Sequence, residues 1–249
     1  MIRVYDITKT YKNSKQIALQ DFSFDFCEDE ITGLLGVNGA GKSTLLNILA
    51  LRLFPDCNQK YSLEIDGTET ANLTDTKIAS LKEKIAFVSE NAQFYGELKV
   101  CELLRNTVEF YGSQANYDEL VKKCSLTEVL SKKIKTLSKG YRQRLSFALA
   151  LSSNPKIIIL DEPVSGLDPI QINEIRNLIK SLKKGRIIIL STHIMQEVES
   201  LCDKILIIHD GKLITSGSEN EILEKTKCKT MEQAFLSLTN GNTEGGQNE

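Results

Sequence analysis

The sequence predicts an α/β protein whose mainly parallel sheet is covered on both faces. Three observations lead there. From residue 156 onward, apolar strands alternate with helical patterns: KIIILDE, DPIQINEIRNLIKSLKKG, RIIILST, IMQEVESLC and DKILIIHDG. Such alternation is the mark of parallel strands joined by crossover helices. The first 36 residues, by contrast, read as strands and turns. Residues 100–152 differ from both, being mainly helical in pattern, free of Pro and without a convincing strand.

Each element has a local cause. RVYDIT, IALQDFSFDF and ITGLLG are rich in Val, Ile, Leu and Phe, with Gly, Asp and Asn between them. FSFDF alternates apolar and polar positions as a half-buried strand does, whereas ITGLLG reads as a fully buried one. KSTLLNILALRLF places Leu45, Ile48, Leu49 and Leu53 at helical spacing and is expected to stop just before Pro55. YSLEIDG is a strand ending in a turn, and KIAFVS is another strand. The helix after Asp168 has that acid as N-cap and Pro169 at its first position. Its apolar stripe is Ile172, Ile175, Leu178, Ile179 and Leu182, and Gly185 ends it. The last ten residues, NGNTEGGQNE, have almost nothing to bury. One folded unit is therefore expected over residues 1–239, with its helical part at about 97–152 and a disordered tail at 240–249.

Composition narrows the function. In 249 residues, 31 Lys+Arg face 33 Asp+Glu, a formal charge of -2, which argues against a binder of nucleic acid or other bulk polyanions. Hydrophobic residues are 41% and charged residues 26%, the composition of a globular protein. No apolar run approaches the ~18 residues of a membrane span, and MIRVYDITKTYK has no secretory apolar core. Cys27, Cys57, Cys101, Cys124, Cys202 and Cys228 form no CxxC pair and read as reduced cytosolic thiols. Charge is unevenly spread: eight Lys or Arg and one acid, Glu128, lie between Lys122 and Arg144. A solvated helical face, an anionic lipid surface and nucleic acid all remain open as readings of that window.

Chemistry enters with GVNGAGKS, Gly36 to Ser43, directly after a buried strand and at the start of a helix. Glycines let the backbone curl around a phosphate, while successive N–H groups and the helix N-terminus point at it. Lys42 suits neutralising β- and γ-phosphate charge, and the Ser43 hydroxyl suits Mg²⁺. Asp161 and Glu162 end the apolar strand of KIIILDEP, at the strand terminus where open α/β sheets bind ligands. Asp161 suits holding Mg²⁺ through water, and Glu162 suits polarising an attacking water. His193 follows the next strand, as a γ-phosphate donor or as a structural imidazole. His209 precedes an ordinary Asp-Gly turn and reads as structural.

These residues occur in the order of the ATP-binding subunits of ABC transporters, and the similarity runs from about Ile2 to Thr239. The resemblance implies a P-loop NTPase core with an antiparallel β subdomain and a helical insert. It implies ATP and Mg²⁺ as cofactors, with Gly36, Val37, Asn38, Gly39, Ala40, Gly41, Lys42, Ser43 and Thr44 binding ATP. LSKGYRQR, Leu137 to Arg144, resembles the family signature LSGGQ; Ser138 and Gly140 match, while Lys139 and Tyr141 depart. In the family this segment faces phosphates bound by the opposite subunit, so Ser138, Lys139 and Gly140 would act in trans within an ATP-induced homodimer. SGLD, ending at Asp168, resembles the D-loop linking the two sites. Tyr11 resembles the aromatic that stacks on adenine, with a core or turn tyrosine as the other reading. Glu90 stands where the Q-loop glutamine belongs and joins Ser43 and Asp161 as an implied Mg²⁺ ligand.

Glu90, LSKGYRQR and the ending MEQAFLSLT resemble ATPases that partner ABC-2 type permeases, mostly exporters. LSTHIMQEVESLCDKILII is similar to gliding-motility-associated subunits, a pattern shared with drug- and copper-related relatives. The implied protein is an ATP-hydrolysing motor at the inner face of the cell membrane, driving a separate integral-membrane permease. A docking groove would lie around Glu90–Val100, where Phe94, Tyr95 and Leu98 serve either as anchors or as local core. Two rivals are a soluble ABC-type ATPase acting on DNA or ribosomes and a nucleotide-binding regulator without turnover. The single cassette without heptads opposes the first; Glu162 and His193 oppose the second.

Overall fold

The structure, a computed structural model, describes residues 1–11, 17–56, 61–71, 73–112 and 116–240. In chain order it begins with β1 (Ile2–Thr10), β2 (Ile17–Phe26), β3 (Glu30–Leu35), α1 (Lys42–Leu49), β4 (Ser62–Ile65) and β5 (Thr68–Glu69). Next come α2 (Asp75–Glu83), β6 (Ile85–Val88), α3 (Val100–Tyr111), α4 (Tyr117–Lys123), α5 (Lys139–Leu151), β7 (Ile157–Asp161) and α6 (Pro169–Leu182). The chain then forms β8 (Ile187–Thr192), α7 (Met195–Leu201), β9 (Lys204–His209), β10 (Lys212–Gly217), α8 (Glu219–Thr226) and α9 (Met231–Asn240). Cys57 and, of the expected tail, residues 241–249 lie outside the described residues.

Two sheets result. One has the order β2-β1-β4-β5 and is antiparallel throughout. The other has the order β10-β9-β3-β8-β7-β6, parallel from β9 to β6, with β10 antiparallel at its edge. The α/β class with a mainly parallel sheet is therefore as the sequence predicts, and the separate antiparallel sheet is as the family resemblance implies.

The isoleucine runs make the parallel sheet two-faced. Ile158, Leu160, Ile188 and Leu190 join one core with α5, α6 and the helices after β6. Their neighbours Ile157, Ile159, Ile187 and Ile189 join a second core with α1 and the antiparallel sheet. Period-two alternation thus persists in strands that are apolar at every position, because each face meets a different layer. A third cluster packs Leu35, Ile205 and Ile207 under α7, α8 and α9.

Among the described residues of 100–151 there are three helices and two single 3-10 turns, Thr127–Val129 and Ile134–Thr136. Within the basic window seven of the cationic side chains are exposed, while Arg144 turns inward to pair with Glu174. Phe94 and Leu98 pack on the core, but Tyr95 is 82% exposed, so the three expected anchors divide between both readings.

One expected boundary is corrected. The helix foreseen to run to Leu53 stops at Leu49. Leu51 adopts a left-handed φ of 55°, its N–H donates to Ile48 O, and the Arg52 N–H donates to Asn47 O. That is a Schellman ending, usually built on Gly; here Leu51 supplies it because its side chain is buried. Conversely α2 had no sequence signal, since Leu81 is its one buried residue.

α7 lies so close to β3 that Gly33 leaves no room for a side chain. An added Cβ there would stand 2.5 Å from Cys202 Sγ and 2.8 Å from Val198 Cγ1. Gly33→Ala is expected to destabilise the fold by about 1–3 kcal/mol, read as a lower urea midpoint with an unchanged slope.

Candidate active site

The parallel register brings the carboxyl ends of β6, β7, β8 and β3 to one rim, with Asp161 opposite Ser191 and Leu35 opposite Thr192. Beyond β3 the chain turns through Gly36–Gly41 into α1. Gly41 precedes that helix with φ 106°, and a Cβ on it would lie 2.3 Å from the Ala18 carbonyl oxygen. No side chain caps α1, so its first N–H groups remain open to an anion.

A cleft of about 390 Å³ opens above this turn. Asn38, Gly39, Gly41, Lys42, Ser43 and Thr44 line it from the loop, and Tyr11, Glu90, Asp161 and Glu162 line it from elsewhere. Gly36, Val37 and Ala40 shape the loop instead. Gly36 and Val37 offer carbonyls to Lys42 Nζ at 2.6 and 3.1 Å, and the Ala40 N–H donates to Val37 O.

Lys42 is 6% exposed, and its Nζ lies 4.0 Å from Glu162 Oε1. Burial lowers its pKa below the ordinary lysine value, against the opposing pull of Glu162 and then Asp161. Asp161 Oδ1 accepts from Ser191 Oγ at 2.6 Å and from Ser43 Oγ at 3.3 Å. Glu162 has a left-handed φ of 49°, held by its N–H donating to Ser191 O and Oγ at 3.2 and 3.1 Å. A non-glycine residue in that region is strained, a feature that collects at functional positions. Its carboxylate meets His193 Nδ1 at 2.9 and 3.0 Å.

The remaining expected residues sit as follows. Tyr11 is half-exposed in the cleft wall, its hydroxyl 3.3 Å from Thr44 Oγ1, so it is not a core tyrosine. Glu90 Oε1 accepts from Ser165 Oγ at 2.9 Å. Asp168 caps α6, accepting from the Gln171 N–H at 2.9 Å. Ser138 caps α5, followed by Lys139 and Gly140. None of Ser138, Lys139, Gly140 and Asp168 lines the cleft.

Three contributors were not foreseen. Ser191 joins both acids, and its signal was its place two residues before His193 in ILSTH. Ser165 anchors Glu90 across 75 positions of sequence. Gly211, in the turn that had read as ordinary, donates its N–H to Ala40 O at 3.0 Å and so buttresses the phosphate loop.

Fold and rim together define an α/β protein built to bind a nucleotide polyphosphate. The family model described as ABC transporter matches residues 19–165, and a shorter match to an AAA domain model spans residues 132–199. An uncharacterized ABC transporter ATP-binding protein of Bacillus subtilis is 39% identical over 229 residues, covering 90% of this chain and 70% of that protein. A lantibiotic transport ATP-binding protein of Streptococcus pyogenes is 34% identical, covering 88% and 93%. A methionine import ATP-binding protein of Haemophilus influenzae is 31% identical, covering 96% and 71%. Among solved structures, an ATP-binding subunit of an ABC transporter superposes with TM-score 0.83 at 29% identity over 96% of this chain and 99% of the other. A dimeric ATP-binding cassette in a post-hydrolysis state with ADP and Pi gives TM-score 0.78 at 27% identity, over 88% and 98%. The chain belongs to the ABC transporter family as one of its ATP-binding subunits, which are ATPases.

Two outcomes follow from the geometry. Ser191→Ala removes both the donor to Asp161 and an acceptor of the Glu162 N–H, and should lower ATP turnover about tenfold in a phosphate-release assay. Glu197, 2% exposed in α7, has its pKa raised by burial, against the Thr192 hydroxyl that donates to it. A carboxyl whose folded pKa exceeds its unfolded one makes stability fall as pH rises from the ordinary Glu value, about 4.3, to the raised one. Glu197→Gln should flatten that fall in urea titrations; an unchanged pH slope would refute it.

Proposed function

We propose that this chain hydrolyses ATP–Mg²⁺ at the cleft and that two copies do so together, driving a separate integral-membrane permease. The observation that carries the chemistry is the grouping of Glu162, His193 and Lys42 beside Ser43 and Asp161 at the phosphate loop. Glu162 takes a proton from water as that water adds to the γ-phosphorus, and the bond to the β–γ bridging oxygen breaks to release ADP and phosphate. His193, already on the Glu162 carboxylate, orients it, and its other ring nitrogen is available to the γ-phosphate. Lys42 and the N–H groups of the loop bind the β- and γ-phosphates. Tyr11 stacks on the adenine.

Ser43, Asp161 and Glu90 are oxygen ligands of the kind a small hard cation takes. They would hold Mg²⁺, which neutralises charge developing on the transferred phosphoryl group.

Ser138 and Gly140 lie away from the chain's own cleft, at the capped N-terminus of a 13-residue helix. This arrangement favours their serving the nucleotide of a second copy, with Lys139 beside them and Asp168 linking the sites. ATP then stabilises the closed dimer and hydrolysis releases it. The chain itself belongs at the inner face of the cell membrane, against that permease; no helix among its described residues is long and apolar enough to cross a membrane. Export through an ABC-2 type permease is favoured by Glu90, LSKGYRQR and MEQAFLSLT. The folded unit is residues 1–239, with the helical part at about 97–152.

Glu162→Gln should lower hydrolysis by about 100-fold or more and accumulate an ATP-bound dimer. Equal rates, or a strictly monomeric variant at saturating ATP by light scattering, would sink the mechanism. Detergent extracts of membranes should yield the chain together with an integral-membrane protein.

A further inference from the structure

Among the described residues, three carboxylates and one ammonium line the phosphate cleft: Glu90, Asp161 and Glu162 against Lys42. The acids are not held alike. Glu162 lies beside Lys42 and His193. Asp161 accepts from two hydroxyls, those of Ser43 and Ser191. Glu90 takes one neutral donor, the Ser165 hydroxyl, on one of its two oxygens, and forms no ion pair among the described residues. Lys139 and Arg142 border a separate recess on its other side without coming within ion-pairing distance. Among the described residues, the cleft lining therefore carries three negative charges and one positive where a polyphosphate has to bind.

Nor does the protein hold a cation cage of its own. Among the described residues no group of three or more His, Cys, Asp or Glu side chains could hold a metal ion. A cation such as Mg²⁺ then needs phosphate oxygens to complete its shell, its usual habit in nucleotide sites. Bare nucleotide meets repulsion, and bare cation meets too few ligands.

From this charge balance we propose that Glu90 makes nucleotide binding metal-obligate: its carboxylate, uncompensated in the cleft wall, turns away the free polyphosphate and admits the nucleotide only as its divalent-cation complex. The inference rests on the Mg²⁺–nucleotide reading above and goes beyond it by giving Glu90 a selective role. Ser165 is the positioning residue, holding Glu90 Oε1 through its hydroxyl. Removing one unit charge a few ångströms from a polyphosphate, at a dielectric between protein and water, corresponds to a change in affinity of about tenfold or more.

The test is calorimetric titration of the full chain with a non-hydrolysable ATP analogue, in EDTA and in excess Mg²⁺, at fixed ionic strength. Wild type is expected to bind the Mg²⁺ complex at least about 100-fold more tightly than the free analogue. Glu90→Gln should bind the free analogue about tenfold more tightly than wild type, while its affinity for the Mg²⁺ complex holds or falls. Glu90→Asp keeps the charge and should keep the discrimination. Ser165→Ala keeps the charge but loses the tether, and should weaken only the Mg²⁺ complex. A merely structural Glu90 would weaken both forms together on substitution.

A gain for Glu90→Gln below about threefold, or a loss, overturns the proposal. Should that variant not fold, the salt series of wild type decides. Screening of repulsion makes free-analogue affinity rise with ionic strength, and a decrease overturns the idea. Wild type that binds the two forms equally removes the role of Glu90 alone. Wild type that binds neither form removes the nucleotide site itself.

Discussion

A strand buried on both faces cannot carry a working polar group until it ends, and that constraint arranges this molecule. β7 and β8 are apolar from their first residue because each side meets a packed layer. Polar chemistry is thereby pushed to the carboxyl rim, and the parallel register makes all the rims coincide. Ser191 illustrates the economy of this. It is fully buried at the end of β8, yet one hydroxyl donates to Asp161 while accepting from the Glu162 backbone. The strained φ of Glu162 is then held by the neighbouring strand rather than by its own loop.

Electrostatics at the rim has two levels. The loop supplies fixed partial positive charge through open N–H groups and the uncapped start of α1. Set against it are the three carboxylates, with Lys42 buried among them. Burial lowers the lysine pKa while Glu162 and Asp161 oppose the shift, so the acids help keep the ammonium charged. In the proposed reading Glu90, which has no part in sustaining Lys42, is the acid that sets the nucleotide's need for a cation.

Much of this was legible in the sequence, for a physical reason. The parallel strands announce themselves through apolar runs, the loop through glycines fixed in spacing, and α6 through Asp168 and Pro169, because these signals are local. What escaped depends on distant partners. The end of α1 at Leu49 rests on burial of Leu51 in a conformation its residue type disfavours. α2 has almost no apolar face. Ser165 is bound to Glu90, and Gly211 to Ala40, across sequence distances that no periodicity encodes. His209 shows the reverse: its side chain reads as structural from sequence and does not line the cleft, while the turn after it supports the loop.

The layers also separate the two halves of the proposed chemistry. The phosphate loop rests on the core formed with α1 and the antiparallel sheet; the signature segment begins α5, which rests on the opposite core. Strands β7 and β8 present alternate side chains to both, so the cores are mechanically joined through the sheet. On the surface the Ser165–Asp168 segment spans the same divide, tied to Glu90 at one end and opening α6 at the other. The start of α6 shares a recess with Gly140 and Tyr141. Two hydrogen bonds and a helix start thus connect the cleft wall to the signature segment. In the proposed dimer this connection would lead from one copy's cleft to the face on which the second copy docks.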